Sequence, residues 1–277
     1  MARSEMSRSS PLVMESRVED RPRNAPNRLG RSWLLRLWLP GVLLGAWELA
    51  VALSWLDPLF FPPPSKLLST AIEMLRSGDL GEQIRSTAAR TGAGFLLGAL
   101  AGIGCGILMG VSDPLRRSIE PLTSALYNAP KLTLLPMLMV VAGTGEMPLL
   151  ILIATAVFLQ VLMHTLDGVK GISPHYVEMA VNHGATRWLL FRRVYLPATG
   201  PQVFTGLRLG MGRALGIAIS AELLMGAGGL GGLVWRSWQT FSIERLYVAV
   251  AIAALLGAAI HQSLKLVEAR ILPWRSQ

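Results

Sequence analysis

Apolar residues in this chain are gathered into long stretches separated by short polar connections. The stretches fall at about 33–56, 86–111, 119–142, 147–167, 199–223 and 245–265. Each is close to the twenty or so residues that a helix needs to cross about 30 Å of hydrocarbon. The pattern predicts an all-α membrane protein of six transmembrane helices. The first stretch is too long for the apolar region of a signal peptide, and no small-residue cleavage site follows it, so it reads as an uncleaved span. Phe61-Pro62-Pro63-Pro64 is a stiff connector, and residues 65–84 are expected to form a short amphipathic helix in the membrane interface. The third stretch carries Pro121, Pro130, Pro136 and Lys131. A helix so interrupted frees backbone groups that need protein or water, which suits a helix lining a cavity. Residues 1–31 are polar and lack apolar periodicity, and they read as a disordered cytoplasmic tail before a membrane domain at 32–277.

Composition supports the same class. The 277 residues are 52% hydrophobic and 16% charged, with a mean hydropathy of +0.46. A soluble domain is about one quarter charged, and one this apolar would expose large greasy patches. The net charge of +9 raises the question of nucleic acid, but the placement of the charge answers it. Of 26 Lys and Arg, 17 fall in the tail and in alternate connections, six in the other connections, and Lys131, Arg208 and Arg213 at membrane depth. That asymmetry is a topology signal with both termini cytoplasmic, and it leaves no nucleic-acid face. Cys105 stands alone in an apolar run, where it acts as a small hydrophobe.

The longest internal connection on the cytoplasmic side runs from about 168 to 199 and is itself patterned. Ser173-Pro174 offers a cap and a proline at the first helical position, which predicts a short helix over 174–183. Gly184 can end it at positive φ, and a second helix is expected to begin near Ala185. The result is a helix-Gly-helix elbow. The alternative by residue type is an interfacial linker, with Arg187, Arg192 and Arg193 near anionic lipid.

Within this loop Glu178-Met179-Ala180, then Gly184-Ala185, then Val194 and Leu196-Pro197 resemble the EAA loop of bacterial ABC importer permeases. The spacing matches throughout. Met179 replaces the usual Ala and Val194 the usual Ile, both conservative changes. Asn128-Ala129-Pro130-Lys131, Leu135-Pro136 and Gly143-Thr144-Gly145-Glu146 are similar to the third span and following turn of nitrate, taurine and alkanesulfonate permeases. Phe61 to Pro64, Gly206-Leu207-Arg208 and Ala221-Glu222 fit the same subfamily, so the likeness covers about residues 33–275.

The resemblance implies a type I ABC importer permease in the bacterial inner membrane. Glu178, Ala180, Gly184, Ala185, Leu196 and Pro197 would then form the coupling loop that docks on an ATPase. It also implies a second copy of the chain, two ATPase subunits that carry the ATP and Mg, an extracytoplasmic solute-binding protein, and surrounding lipid. The sequence does not identify the solute: a small anion such as a sulfonate, taurine or nitrate is expected, and bicarbonate and pyrimidine precursors of thiamine remain open. An ion-gradient-driven transporter or channel is the rival reading. It predicts more intramembrane carboxylates and an internal repeat of spans, and the sequence has neither.

No G-x-x-x-x-G-K-[ST] occurs, so ATP hydrolysis falls to a partner, and no reactive constellation marks the chain as an enzyme. His164, His175, His183 and His261 lack metal-ligand spacing, so no metal site is expected. Gly226 to Gly231 satisfies G-x-G-x-x-G but follows a membrane span with no βαβ unit, and reads as a flexible extracytoplasmic turn. Asn128, Lys131, Arg213 and Glu222 are pathway candidates. Lys131 and Arg213 would give the route a positive potential suited to a small anion. Glu222 alternatively pairs with Arg213 or the neighbouring turn, and Glu48 is expected to be structural. Gly94, Gly98, Gly102, Gly106 and Gly110 recur every four residues, a stripe that lets another helix approach closely.

Overall fold

A computed structural model describes residues 29–271. The described residues are nearly all helical, in the order α1 (Leu29–Ala52), α2 (Pro64–Arg76), α3 (Asp79–Val111), α4 (Asp113–Asn128), α5 (Leu135–Ala142), α6 (Glu146–Lys170), α7 (Pro174–Asn182), α8 (Arg187–Leu190), α9 (Leu196–Met225), α10 (Leu230–Gln239) and α11 (Ile243–Ile271). The expected tail, residues 1–31, lies outside the described residues except at its last positions. The chain divides into two units, residues 1–47 and 48–277. The described part of the first is the bulk of α1, and α2 to α11 belong to the second.

Among the described residues, four stretches are long and apolar enough to cross a membrane: Asp79–Val111, Glu146–Lys170, Arg187–Gln239 and Ile243–Ile271. A fifth is obtained if Asp113–Asn128 and Lys131–Ala142 form one span, although they meet at a 93° bend. The first apolar stretch contributes a shorter apolar helix, Trp38–Ala52. The expected interfacial helix over 65–84 is instead two elements. α2 stops at Arg76, the chain turns at Ser77-Gly78, and the long helix α3 starts at Asp79. Glu48 fixes the start of α2. Its carboxylate accepts from the Ser65 amide at 3.0 Å and hydroxyl at 2.7 Å, a negative charge at a helix N-terminus.

The bend has a local cause. Ala129, which precedes Pro130, is extended at φ −65°, ψ 142°, because proline excludes its neighbour from the helical region. Lys131–Leu134 then forms one 3-10 turn, and Pro136 sits in the first turn of α5, where its missing N–H costs nothing.

α6 is the axis of the second unit. Of its most apolar window 61% is buried, against 11% for α11. It packs between α3 and α9 around Phe95, Ala99, Ile153, Val157, Val161 and Ala214. The glycines of α3 face α6 along the whole contact. A Cβ on Gly94 would come 2.6 Å from Ile153 Cγ2, one on Gly102 2.8 Å from the Phe158 carbonyl, and one on Gly106 2.7 Å from Thr165 Cβ. Gly98 and Gly110 meet Ala154 and Val169 as closely. The backbones are therefore nearer than any side chain would permit, as in other membrane helix pairs built on small residues.

Candidate functional site: an elbow, a clamp and a cationic corner

The connection between α6 and α9 forms the elbow. α7 ends in a Schellman stop: the Ala185 amide donates to the Ala180 carbonyl at 3.0 Å and the Gly184 amide to the Val181 carbonyl at 2.8 Å. Gly184 sits at φ +77°, where a Cβ is strained. Two details differ from expectation. Ser173 makes no side-chain cap bond, so Pro174 alone marks the start of α7. The second helix begins at Arg187 rather than near Ala185, because Thr186 is its N-cap and accepts from the Leu189 amide at 3.3 Å. α8 then runs through a wide π turn, Phe191–Tyr195, directly into α9.

The elbow presents an exposed apolar surface of Tyr176, Met179, Val181 and Trp188. The fold brings Pro197, in the first turn of α9, to the same place, and Leu196 before it is exposed. A recess of about 410 Å³ is lined by Ile172, Tyr176, Arg193, Val194 and Pro197. Glu178 borders a second recess of about 330 Å³, together with Gly110, Val169 and Tyr195. The last glycine of the α3 stripe thus lies at the floor of the elbow.

At the opposite end of the bundle, Glu222 is fully buried. It pairs with Arg90, not with Arg213: Arg90 Nη1 lies 2.9 Å from its Oε1. Arg213 is nine residues earlier in α9, and at 100° per residue that places it on the opposite face, roughly 13 Å along the axis. Glu222 also accepts from Thr87 Oγ1 at 2.8 Å and the Gly231 amide at 3.1 Å. Thr87 Oγ1 accepts from the Leu230 amide at 2.8 Å, and Gln83 Oε1 from the Gly229 amide at 2.7 Å. Arg90 also donates to the Gly228 carbonyl and forks onto both oxygens of Glu146, with Nη2 to Oε1 at 2.6 Å. The Gly226–Gly231 turn, expected to be flexible, is therefore clamped. Its amides are held by side chains of α3 and by Glu222.

The remaining pathway candidates meet at the bend. Lys131 Nζ donates to the free carbonyls of Tyr127 at 2.6 Å and Ala129 at 3.2 Å. Its ammonium and the Arg213 guanidinium lie 5.6 and 5.0 Å from the Tyr127 ring centroid. Asn128 turns its amide back to the Ser124 carbonyl at 3.0 Å. Arg208, the other cation at membrane depth, pairs with Glu268 at 3.3 Å.

Sequence reasoning missed Gln83, Thr87, Arg90 and Glu146 in the clamp, and Tyr127 and Gln160 at the bend. Matching depth was the available signal for Arg90. It stands just inside the second apolar stretch, as Glu222 stands just inside the end of the fifth.

Comparison with known proteins agrees with this architecture. The chain is 28% identical over 254 residues to the taurine transport system permease protein TauC of Escherichia coli (strain K12), covering 90% of this chain and 92% of that one. A protein assigned as an aliphatic sulfonates transport permease, SsuC of Bacillus subtilis (strain 168), is 29% identical over 261 residues, 92% of each chain. The nitrate import permease protein NrtB of Leptolyngbya laminosa is 28% identical over 191 residues, 69% of this chain and 68% of that one. In fold, the chain is similar to one from the MetNI methionine ABC transporter in inward-facing conformations. The TM-score is 0.56 at 19% identity, covering 68% of this chain and 97% of that chain. The family model for the binding-protein-dependent transport system inner membrane component matches residues 94–273. A bundle seamed by glycines, an exposed elbow between two of its helices and these matches together place the chain in that family of ABC importer permeases.

Proposed function

We propose that this permease forms a homodimeric pathway for a small oxoanion, of the sulfonate or nitrate type, and that the Gly184 elbow is where a separate ATPase grips it. Two ATPase subunits, carrying the ATP and Mg, would each seat one elbow. An extracytoplasmic binding protein would deliver the solute to the far side. Both termini would then lie in the cytoplasm, in keeping with the excess of Arg and Lys on the elbow side.

The observation that carries the reading is the elbow. A Schellman stop at φ +77° fixes the angle between α7 and the chain leading to α8, while Tyr176, Met179 and Val181 stay exposed. Exposed apolar side chains on a rigid turn outside the membrane suit burial by another protein. The elbow also continues directly into α6 and α9, so a push on it reaches the core of the bundle.

The names of the relatives support the solute class: taurine, aliphatic sulfonates and nitrate are all small oxoanions or carry one. Gly184→Val tests the coupling role. A β-branched residue at positive φ costs roughly 1–3 kcal/mol of local strain, and no neighbour lies within 4 Å to be disturbed. The variant should insert and fold, yet either lose the ATPase on co-purification or hydrolyse ATP without import. Wild-type ATPase binding and wild-type import in that variant would mean that the elbow is not the ATPase interface.

A further inference from the structure

The cationic corner at the bend combines features that a purely structural role leaves unexplained. Arg213 lies in the body of α9, about 26 Å from its start and 18 Å from its end at 1.5 Å per residue. It is exposed on the protomer, beside Gly212 and Gly216, where a Cβ would meet nothing within 4 Å. A guanidinium facing hydrocarbon at that depth is costly, so this side of α9 must face water or a wetted interface. The two glycines leave room beside it.

Lys131 projects from the broken span onto the same tyrosine. It spends two of its three donors on the carbonyls that end α4 and keeps one. Among the described residues, neither cation forms an ion pair with a carboxylate. Two like charges thus share one aromatic ring at membrane depth with no counter-charge. The ring itself is held from behind. Tyr127 Oη donates to Gln160 Oε1 at 3.1 Å and accepts from Arg213 Nη2 at 3.3 Å, and Gln160 is only 2% exposed. An anion placed between the cations would supply the missing charge and take the unused donors, four on Arg213 and one on Lys131.

We infer that Lys131, Arg213 and Tyr127 form a binding station for a small oxoanion within the pathway, with Gln160 as the positioning residue that fixes the tyrosine. This rests on the reading of the chain as an oxoanion importer, and it names the point in the bundle where the solute is recognised.

The test uses cells that express the full permease with its own ATPase and binding protein. Uptake of radiolabelled taurine, methanesulfonate and nitrate is measured for the wild type and for variants in a Cys105→Ser background. Arg213→Cys and Lys131→Gln should each lower import about tenfold, the weight of one charge-assisted hydrogen bond, while the complex still co-purifies. Treating Arg213→Cys with an aminoethyl thiosulfonate restores a positive charge and should recover most of the flux. The sulfonatoethyl reagent adds a negative charge and should not. Tyr127→Phe keeps the ring but loses the link to Arg213 and Gln160, and should fall by a few-fold.

Two results would remove the station while leaving the importer reading intact. One is wild-type uptake of a probe together with unchanged flux in both cation variants. The other is an Arg213→Cys thiol that neither reagent reaches in the assembled complex. If the wild type imports none of the three anions, the solute class and the station fall together.

Discussion

Two glycine turns, at opposite ends of the same bundle, are built in contrasting ways. The Gly184 elbow is held by backbone bonds between neighbours in sequence, and no atom lies within 4 Å of where a Cβ would be. The Gly226–Gly231 turn is held by Gln83, Thr87, Arg90 and Glu222, three of them more than 130 residues away in the chain. Gly229, at φ +112°, lies so close to the Glu222 carboxylate that a side chain has no room. The bend of the elbow is therefore set by its own backbone, and Gly184 at its apex touches nothing else in the bundle. The turn is locked to the bundle and can move only with α3, α6 and α9.

The contrast predicts that damage at the clamp spreads through the bundle. Glu222→Ala would leave the Thr87 hydroxyl and the Gly231 amide without their acceptor, and would remove one of the two carboxylates on Arg90. Breaking a buried pair from one side typically costs 3–5 kcal/mol, and because Arg90 keeps Glu146 the expected loss is about 3 kcal/mol. Thermal unfolding of the purified complex in detergent should register it. A melting temperature equal to that of the wild type would show that the turn is held by something other than this carboxylate.

Alanine at the two glycines compares the turns directly. At Gly184 the change meets only the backbone penalty of a left-handed residue, about 1 kcal/mol, and should leave the melting of the bundle alone. Gly229, at φ +112° and ψ 178°, lies in a region essentially reserved for glycine, so a larger backbone penalty is joined by collision with Glu222, which must withdraw from its partners, for a total of roughly 2–4 kcal/mol. Equal melting temperatures for Gly184→Ala and Gly229→Ala would abolish the distinction.

The same contrast explains what the sequence disclosed. The elbow was legible because its determinants are local: Pro174 starts one helix, Gly184 stops it, and the residues between set the length. The long apolar helices α3, α6, α9 and α11 were legible for the same reason, since twenty apolar residues in a row have one use in a membrane. The glycine stripe of α3 announced close packing, but which helix it met is a tertiary fact. The clamp was hidden because its members are single polar residues in separate apolar segments, and only the fold aligns their depths. The bend was half visible. Three prolines marked the third stretch, yet Pro121 is accommodated inside α4 and Pro136 in the first turn of α5, so the chain breaks at Pro130 alone. Of the two structural partners considered for Glu222, Arg213 fails on helix geometry, which puts residues nine apart on opposite faces, whereas the neighbouring turn does meet it through the Gly231 amide.

The smallest effect lies inside the elbow and separates its two short helices. Thr186 caps α8 through its hydroxyl, but at 3.3 Å the bond is long, so Thr186→Ala should cost only about 0.5 kcal/mol. Hydrogen exchange at the Leu189 amide, which loses its acceptor, should quicken about twofold. Ser173 makes no such bond: α7 begins with Pro174, which has no N–H to satisfy, and the Tyr176 amide reaches the Ser173 carbonyl, which alanine also supplies. Ser173→Ala should therefore leave exchange along α7 unchanged. Because the elbow is held locally, neither variant should alter exchange in α3 or α6, whereas Glu222→Ala should quicken it in both. If Thr186→Ala loosened the bundle core as well, the elbow would be mechanically continuous with α6 and α9 through more than its chain ends, and the division between a free elbow and a clamped turn would have to be redrawn.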